Sequence, residues 1–403
     1  MAVSHFIGET LMMRANYFVA VVDASLATLG RLGAEDVGEA VNQLRHDEEA
    51  GIRSARCRVR PKHSAMRGGD SFLPPRRVLT SALLAFCVVF FACFYLQHLM
   101  ASVYLTVLVV AVLCYGVRRL SLPRVDDALA ERVILGDASG AVPLFAHRGA
   151  GHDAPENTLA AFREAKRNNA SGVEFDISFT HDNVAVLFHD DTVDRTTDGS
   201  GALAAMPFED VRRLDASANH PFAHKYPGEK VPTLDEGVGE ALRLGLRLIF
   251  DVKEHDHRAV TVVDDLFRKH TELYERALVA SFYPQFVYAL RIRNPGIVTA
   301  LTWRPGFVAY EDVERVRPRF KSPWAHWMAL AGDWMLDSAL HSWLPHVTGV
   351  SAVLICKNTL SSEYVDGWRR QGVHVIAWTP NHPAEKEYFA KVLRVPIITD
   401  TLR

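Results

Sequence analysis

The feature that most constrains this chain is a long apolar segment with no charged side chain. Residues Val78 to Val117 include no Asp, Glu, Lys or Arg. About 18 such residues suffice for a membrane-spanning helix, and a buried helix of a soluble protein rarely runs this far without a charge. We therefore predict that 78–117 is transmembrane and that the chain is an integral protein of an endomembrane or the plasma membrane.

The length of this segment leaves its topology open. A straight helix of about 40 residues would measure ~60 Å, about twice the hydrocarbon core of a bilayer. Gln97 and His98 divide the segment into 79–96 and 101–117, so two short helices joined by a polar turn fit better than one span. Basic residues at both ends favour a hairpin with cytoplasmic ends. The sequon Asn169-Ala170-Ser171 would matter only if the following domain were lumenal.

The regions beside the apolar segment differ from it in composition. Residues 1–77 read as an amino-terminal tail, and its basic part, 51–77, is poor in large apolar residues and should be disordered. The charges of the tail either set the topology or contact anionic lipid. Residues 118–140 are interpreted as a linker. The whole chain holds 45 basic and 47 acidic side chains, a balance that gives no indication of nucleic-acid binding.

From about residue 141 onward, short β-rich runs alternate with amphipathic helical stretches. This alternation is typical of parallel strands with helical crossovers. The strand candidates exceed by one the eight strands of a closed (β/α)8 barrel. They are Pro143–Ala146, Val173–Phe179, Val184–Phe188, Leu246–Val252, Leu278–Ser281, Ile297–Leu301, Ser351–Ile355, Val373–Trp378 and Pro396–Ile398.

The turn Thr180-His181-Asp182-Asn183 accounts for the extra strand. A parallel crossover needs a dozen or more residues, whereas a hairpin needs very few. Val184–Phe188 should therefore run antiparallel, as a flap beside a TIM barrel formed by 141–403.

An insertion of about 305–350 is rich in tryptophan, and its Asp333 and Asp337 make a transmembrane span costly. This composition predicts either a helix in the membrane interface or a helix packed on the barrel.

Polar side chains gather where the predicted strands end, which is where active sites of such barrels lie. They are His147, Arg148, Glu174, Asp176, His189, Asp190, Asp251, Lys253 and Asp400. Carboxylates are hard oxygen ligands that suit Mg²⁺ or Ca²⁺, Arg and Lys can hold a phosphate, and histidines can exchange protons near neutral pH. The set suits phosphodiester cleavage. Each element alone has a plainer interpretation, such as Asn157 serving as a helix cap.

The motifs in this region resemble, in their order, those of the glycerophosphodiester phosphodiesterase family. They are His147-Arg148-Gly149, Ala154-Pro155-Glu156-Asn157-Thr158, Val173-Glu174-Phe175-Asp176, Val186-Leu187-Phe188-His189-Asp190, Asp194-Arg195-Thr196-Thr197, Val231-Pro232-Thr233-Leu234, Phe250-Asp251-Val252-Lys253, Ala377-Trp378-Thr379-Pro380-Asn381 and Ile398-Thr399-Asp400. The resemblance spans nearly all of 141–403. One departure is Asp251, where many members of the family carry Glu.

The resemblance implies a role for each matching residue. It implies that His147 and His189 are an acid–base pair and that Glu174, Asp176 and Asp251 are metal ligands. It also implies that Arg148 and Lys253 contact the phosphate and that Trp378 contacts the alcohol portion of the substrate. It implies hydrolysis of small glycerophosphodiesters to an alcohol and sn-glycerol 3-phosphate, in glycerophospholipid metabolism, with Mg²⁺ preferred and Ca²⁺ as the alternative. Competing hypotheses are a lysophospholipase D acting on acylated substrates and a catalytically idle membrane scaffold.

Overall fold

The computed structural model describes residues 75–136, 142–253 and 257–402, with side chains from residue 86 onward. Residues 1–74, which hold nearly all of the predicted basic tail, lie outside the described residues.

The apolar segment forms one helix, α1, Pro75–Leu120. Its part from Phe86 to Leu120 is long and apolar enough to cross a membrane, with a mean hydropathy of 2.2. The helix runs through Gln97 and His98 without a break, so the expectation of two short helices joined by a turn is wrong. Neither residue is a helix breaker, because kinks need Pro, Gly or an inserted group, and these two side chains leave the backbone ladder intact.

Eight parallel strands close the predicted barrel, and a ninth strand runs antiparallel beside the second. The pairing order is β1-β9-β8-β7-β6-β5-β4-β2, and a β1–β2 pairing completes the circle. The flap β3 pairs antiparallel with β2, as predicted from the short turn between them. The strands are β1 Leu144–His147, β2 Gly172–Phe179, β3 Ala185–Leu187, β4 Arg247–Val252, β5 Ala277–Ser281, β6 Val298–Trp303, β7 Ala352–Cys356, β8 His374–Trp378 and β9 Ile397–Thr399.

Helices connect the strands and cover the outside of the barrel. A typical start is that of Leu234–Arg243, where Thr233 and Glu236 form a capping box. The helices after α1 are α2 Asp127–Leu135, α3 Leu159–Arg167, α4 Phe208–Arg213, α5 Leu234–Arg243, α6 His257–Lys269, α7 Leu273–Arg276, α8 Pro284–Arg293, α9 Pro323–Leu340, α10 Leu344–Thr348, α11 Ser362–Arg370 and α12 Pro383–Glu387, which continues into a π-helical turn at Tyr388–Leu393. Short 3₁₀ turns lie at Leu203–Ala205, Ala223–Lys225 and Lys357–Thr359.

Helix α2 lies within the predicted linker 118–140. Its Val133 and Ile134 are buried and pack with Phe145 and other inward-facing strand residues in one apolar cluster. The Arg247 guanidinium donates to the carbonyl oxygen of Ile134 at 3.0 Å. Helix α2 therefore packs against apolar residues of the barrel interior. The catalytic residues predicted from the sequence lie toward the carboxyl ends of the strands instead.

The insertion contains helix α9, which packs on the barrel along one side only. Ala329, Ala339 and Leu340 are buried, whereas Trp324 and Trp334 are exposed. The packed helix expected as one alternative is thus present.

Candidate active site at the carboxyl end of the barrel

Three buried carboxylates meet on strands β2 and β4. Asp176 and Asp251 are paired in the register of these neighbouring strands, and Glu174 precedes Asp176 by two residues on the same face. Each offers an oxygen, and these three oxygens lie within 4.8 Å of one another. The structure therefore brings together all three side chains that the sequence predicts as metal ligands.

The electrostatics of this cluster fit a divalent cation. Burial, together with the negative charges of Asp176 and Asp251, raises the pKa of Glu174 to about 7. The Oδ1 atom of Asp251 is buried and has no hydrogen-bond donor among the described residues. Buried oxygens with unused lone pairs and mutual repulsion are a donor set that a hard divalent cation satisfies. We conclude that the three residues fit such an ion.

Two cationic side chains face the same carboxylates. Lys253 Nζ lies 3.0 Å from Asp176 Oδ1 and also donates to Asp251. Arg148 Nε lies 3.3 Å from Asp176 Oδ2. Burial opposes ionisation of Asp176, but the charges of Lys253 and Arg148 outweigh it and lower the pKa of this carboxyl well below its usual range. Both residues predicted as phosphate contacts thus lie beside the carboxylate cluster.

Each candidate catalytic histidine is held by a carboxylate. His147 Nδ1 donates to Asp400, and His189 Nδ1 donates to Asp190 at 2.6 Å. Burial opposes ionisation of Asp400 and of Asp190, but these hydrogen bonds outweigh it and lower the pKa of each carboxyl. An ionised carboxylate can only accept, so Nδ1 of each ring carries the proton. Proton exchange with a ligand is then left to the Nε2 atoms.

One cavity of about 960 Å³ is lined by most of these groups: His147, Arg148, Glu174, His189, Asp190, Asp251 and Lys253. Aromatic side chains form another part of its wall: Phe282 stacks on Phe307 with ring centroids 4.5 Å apart, and Trp378 meets Phe282 edge-on at 6.1 Å. Trp378, predicted to face the alcohol portion of a substrate, lies in this aromatic part. The cavity therefore combines a charged region with an apolar one.

A network of charged side chains joins the two sides of the site, and sequence reasoning assigned it no role. Arg195 binds Asp190 and Glu156, with Nε 2.6 Å from Asp190 Oδ2 and Nη2 2.7 Å from Glu156 Oε1. Glu156 also accepts from Arg148 Nη1 at 3.0 Å. Both Glu156 and Arg195 belong to motifs that carry the family resemblance, and this was the sequence signal that could have marked them as site residues. The ion pairs connect Arg148 to the carboxylate that holds His189.

Asn157 does not cap the helix that follows it, contrary to the interpretation from the sequence. The cap of helix α3 is Thr158, whose side chain accepts from the Ala161 N–H at 3.2 Å. Asn157 instead has a φ of 57°, a left-handed conformation that Asn tolerates better than most residues. Its Nδ2 donates to Asp176 Oδ2 at 2.9 Å. Asn157 was therefore wrongly interpreted as the cap, and it orients one of the buried carboxylates.

The barrel and the groups at its mouth define an enzyme of the phosphoric diester hydrolase class. Residues 147–403 match the family described as "Glycerophosphoryl diester phosphodiesterase family". The chain belongs to this family, and it is a glycerophosphodiester phosphodiesterase.

Similar sequences carry the same kind of name. The chain is 43% identical to "Glycerophosphodiester phosphodiesterase 1" of Bos taurus over 261 residues, which cover 65% of this chain and 78% of that protein. It is 41% identical to the Homo sapiens protein of that name, over the same shares of both chains. These matches agree with the resemblance found in the motifs.

Solved structures show the same fold. A phosphodiesterase of Oleispira antarctica, in complex with the product sn-glycerol-3-phosphate, has a TM-score of 0.51 and 22% identity, and the match covers 65% of this chain and 94% of that chain. A glycerophosphodiester phosphodiesterase of Agrobacterium tumefaciens has a TM-score of 0.50 and 23% identity, covering 65% of this chain and 97% of that one.

Proposed function

We propose that this chain hydrolyses glycerophosphodiesters to an alcohol and sn-glycerol 3-phosphate, as a step of glycerophospholipid metabolism that depends on a divalent metal. The observation that carries the proposal is the position of the buried carboxylates Glu174, Asp176 and Asp251 in the same mouth as two carboxylate-held histidines. Mg²⁺ is the preferred ion and Ca²⁺ the alternative, because both are hard cations that bind oxygen ligands.

Glu174, Asp176 and Asp251 would hold the metal. A divalent ion at this position supplies charge neutralisation for the phosphoryl oxygens. Arg148 and Lys253, which lie beside the same carboxylates, contact the phosphate from the protein side. The aromatic part of the cavity, at Trp378, receives the alcohol portion.

His147 and His189 move the protons of the reaction. One Nε2 takes the proton of the glycerol hydroxyl vicinal to the ester, and the oxygen of that hydroxyl attacks phosphorus. The bond from phosphorus to the alcohol oxygen breaks, and the other histidine gives that oxygen a proton. A cyclic glycerol phosphate results, and water opens it to glycerol 3-phosphate. Internal attack is favoured because the hydroxyl is already held near the phosphorus.

A lysophospholipase D activity on acylated substrates is the second candidate. The aromatic wall formed by Phe282, Phe307 and Trp378 favours it, because such a wall can receive an apolar part of a larger substrate. Helix α1 would anchor the enzyme at the membrane in which such substrates reside.

Product analysis tests the proposal. The full chain in detergent, with Mg²⁺, is given glycerophosphocholine, its analogue without the vicinal hydroxyl, or lysophosphatidylcholine. We expect choline and glycerol 3-phosphate from the first substrate and a far slower reaction of the deoxy analogue. Faster turnover of lysophosphatidylcholine would favour the second candidate. Normal turnover of the deoxy analogue would contradict the internal attack, and no release of glycerol 3-phosphate would overturn the proposed function.

A further inference from the structure

Helix α9 exposes a row of large apolar side chains. Trp324, Trp327 and Trp334 are 74%, 69% and 71% exposed, and Met328 and Met335 are 57% and 65% exposed. Their spacing of three, four and seven residues places them on one face of the helix. We call these five residues the Trp–Met stripe. Soluble monomers rarely expose a contiguous apolar surface of this kind, and such a surface usually marks an interaction site.

The acidic residues of the helix do not interrupt the stripe. Asp333 accepts hydrogen bonds from the backbone N–H groups of Val308 and Ala309, at 2.7 and 3.0 Å. Asp337 Oδ1 lies 3.2 Å from His341 Nδ1. The two carboxylates that argued against a transmembrane span are thus engaged by the chain itself. The stripe is therefore suited to an apolar environment along one face, while the opposite face stays on the barrel.

The segment leading into the helix is basic. Residues 315–321 hold Arg315, Arg317, Arg319 and Lys321 and no acid. The acids Glu311, Asp312 and Glu314 precede them, and Asp312 Oδ2 lies 3.2 Å from Arg317 Nε. Within the same segment, Val316 and Phe320 are exposed apolar side chains. A surface that combines exposed tryptophans with adjacent cations has the composition of a helix lying in a membrane interface.

The end of the apolar helix α1 is held by two helices of the barrel, α8 before α9 and α10 after it. The Leu120 carbonyl accepts from the Tyr288 hydroxyl at 3.1 Å. The Leu122 N–H donates to the carbonyl of Val347, in helix α10, at 3.1 Å. The chain therefore leaves its candidate membrane span beside α10, the helix that follows α9 in the chain.

We propose that the Trp–Met stripe lies in the interface of a lipid bilayer, with the cations of 315–321 at the level of anionic head groups. Tryptophan concentrates in this zone, since its ring is apolar and its N–H is polar. A second copy of the chain is the competing occupant, but it would leave the basic segment and the connection to α1 unexplained. Phe307, Arg317 and Arg319 line the active-site cavity, so docking sets one edge of the catalytic mouth at the lipid surface.

The distribution of tryptophan makes this inference testable on the full chain. All seven tryptophans lie between Trp303 and Trp378, so helix α1 and the tail contribute no tryptophan emission. The full chain is reconstituted into phosphatidylcholine vesicles with a minor fraction of phosphatidylserine. Lipids brominated close to the glycerol backbone then quench tryptophans in the interface, and the emission reports on the catalytic part alone.

We expect bromolipid quenching of the wild-type protein, and we expect most of it to disappear in the triple variant Trp324→Ser, Trp327→Ser, Trp334→Ser. The matched control is Tyr388→Ser with Val392→Ser, which makes the same kind of change at two other exposed apolar side chains and should keep the quenching. Thermal unfolding and co-sedimentation with vesicles should be unchanged in both variants, because the replaced side chains are exposed and α1 is intact.

A charge-reversed variant tests the basic segment. Arg315→Glu with Lys321→Glu should reduce the quenching in vesicles that contain phosphatidylserine. Absence of quenching in the wild-type protein would overturn the inference, and so would equal quenching in the triple variant. A triple variant that converts a dimer to a monomer in detergent, with quenching unchanged, would assign the stripe to a second copy instead.

Discussion

Asp176 and Asp251 stand directly opposite each other on the paired strands β2 and β4. Like charges at paired positions of a sheet are destabilising unless a cation compensates them. Lys253 and Arg148 supply part of that compensation, and the pKa of the neighbouring Glu174 is nevertheless raised to about 7. The cluster of carboxylates thus has negative charge that these two cations do not fully compensate, at the position where the proposed reaction needs a metal ion.

The raised pKa of Glu174 predicts that the stability of the metal-free protein depends on pH. The pKa of Glu174 is about 7 in the folded chain against 4.5 for an ordinary Glu. At a pH between these two values the Glu174 carboxyl is ionised in the unfolded chain and protonated in the folded chain. The free energy of unfolding therefore falls as pH rises from 4.5 to about 7. The effect is on the order of a few kcal/mol. Unfolding with chelator at several pH values should show the loss, and Glu174→Gln should remove it. Identical pH profiles would contradict the cluster electrostatics.

The two histidines should each be essential for turnover. His147→Ala and His189→Ala should lower turnover about 10²–10⁴-fold, which is the usual contribution of positioned proton transfer. Folding should persist, because both rings line the cavity and do not belong to the apolar core. Steady-state kinetics with glycerophosphocholine provide the measurement. Near-normal turnover in either variant would remove that histidine from the mechanism.

The carboxylates behind the histidines should act by positioning them. Asp400→Asn and Asp190→Asn keep the size of each side chain but can present an N–H to Nδ1, which disfavours the tautomer with a proton there. We expect turnover to fall about 10–100-fold with little change in KM, by analogy with the outer hydrogen-bond partners of metal-bound histidines. Asp366→Asn, at an exposed acid paired with Arg369, is the matched control and should be silent. A loss confined to KM would indicate a role in substrate binding.

Helix α2 should be needed by the catalytic part even though it lies within the predicted linker. A shortened chain that begins at Ser121 keeps Val133 and Ile134, which are buried against the barrel interior. It should be more soluble than the full chain and still hydrolyse glycerophosphocholine. A chain that begins at Ala141 loses this packing, and each large buried side chain is worth about 1.5–3 kcal/mol. Its unfolding temperature should be clearly lower, and equal unfolding temperatures would show that α2 is dispensable.

The sequence predicts the fold through simple rules. The short turn at 180–183 forbids a parallel crossover, and this settles both the strand count and the direction of β3. The break expected at Gln97 and His98 fails because it rested on length alone, while the local sequence lacks a helix breaker.

The candidate site was predicted less completely than the fold. Residues at strand ends could be found from periodicity, and the structure brings Glu174, Asp176 and Asp251 together as expected. Asn157 and Arg195 lie on connecting loops, where backbone conformation decides which way a side chain points. A propensity rule therefore favoured a helix cap for Asn157, whereas the tertiary contact with Asp176 determines its position.

Metal dependence of turnover tests the central claim most directly. Release of glycerol 3-phosphate from glycerophosphocholine is measured for the full chain after chelation and again after addition of Mg²⁺. Chelation should abolish the release, and Mg²⁺ should restore it in the wild-type protein but not in Glu174→Ala or Asp251→Ala, each of which lacks one of the three buried oxygen donors. Full activity of the wild-type protein in excess chelator would contradict the account.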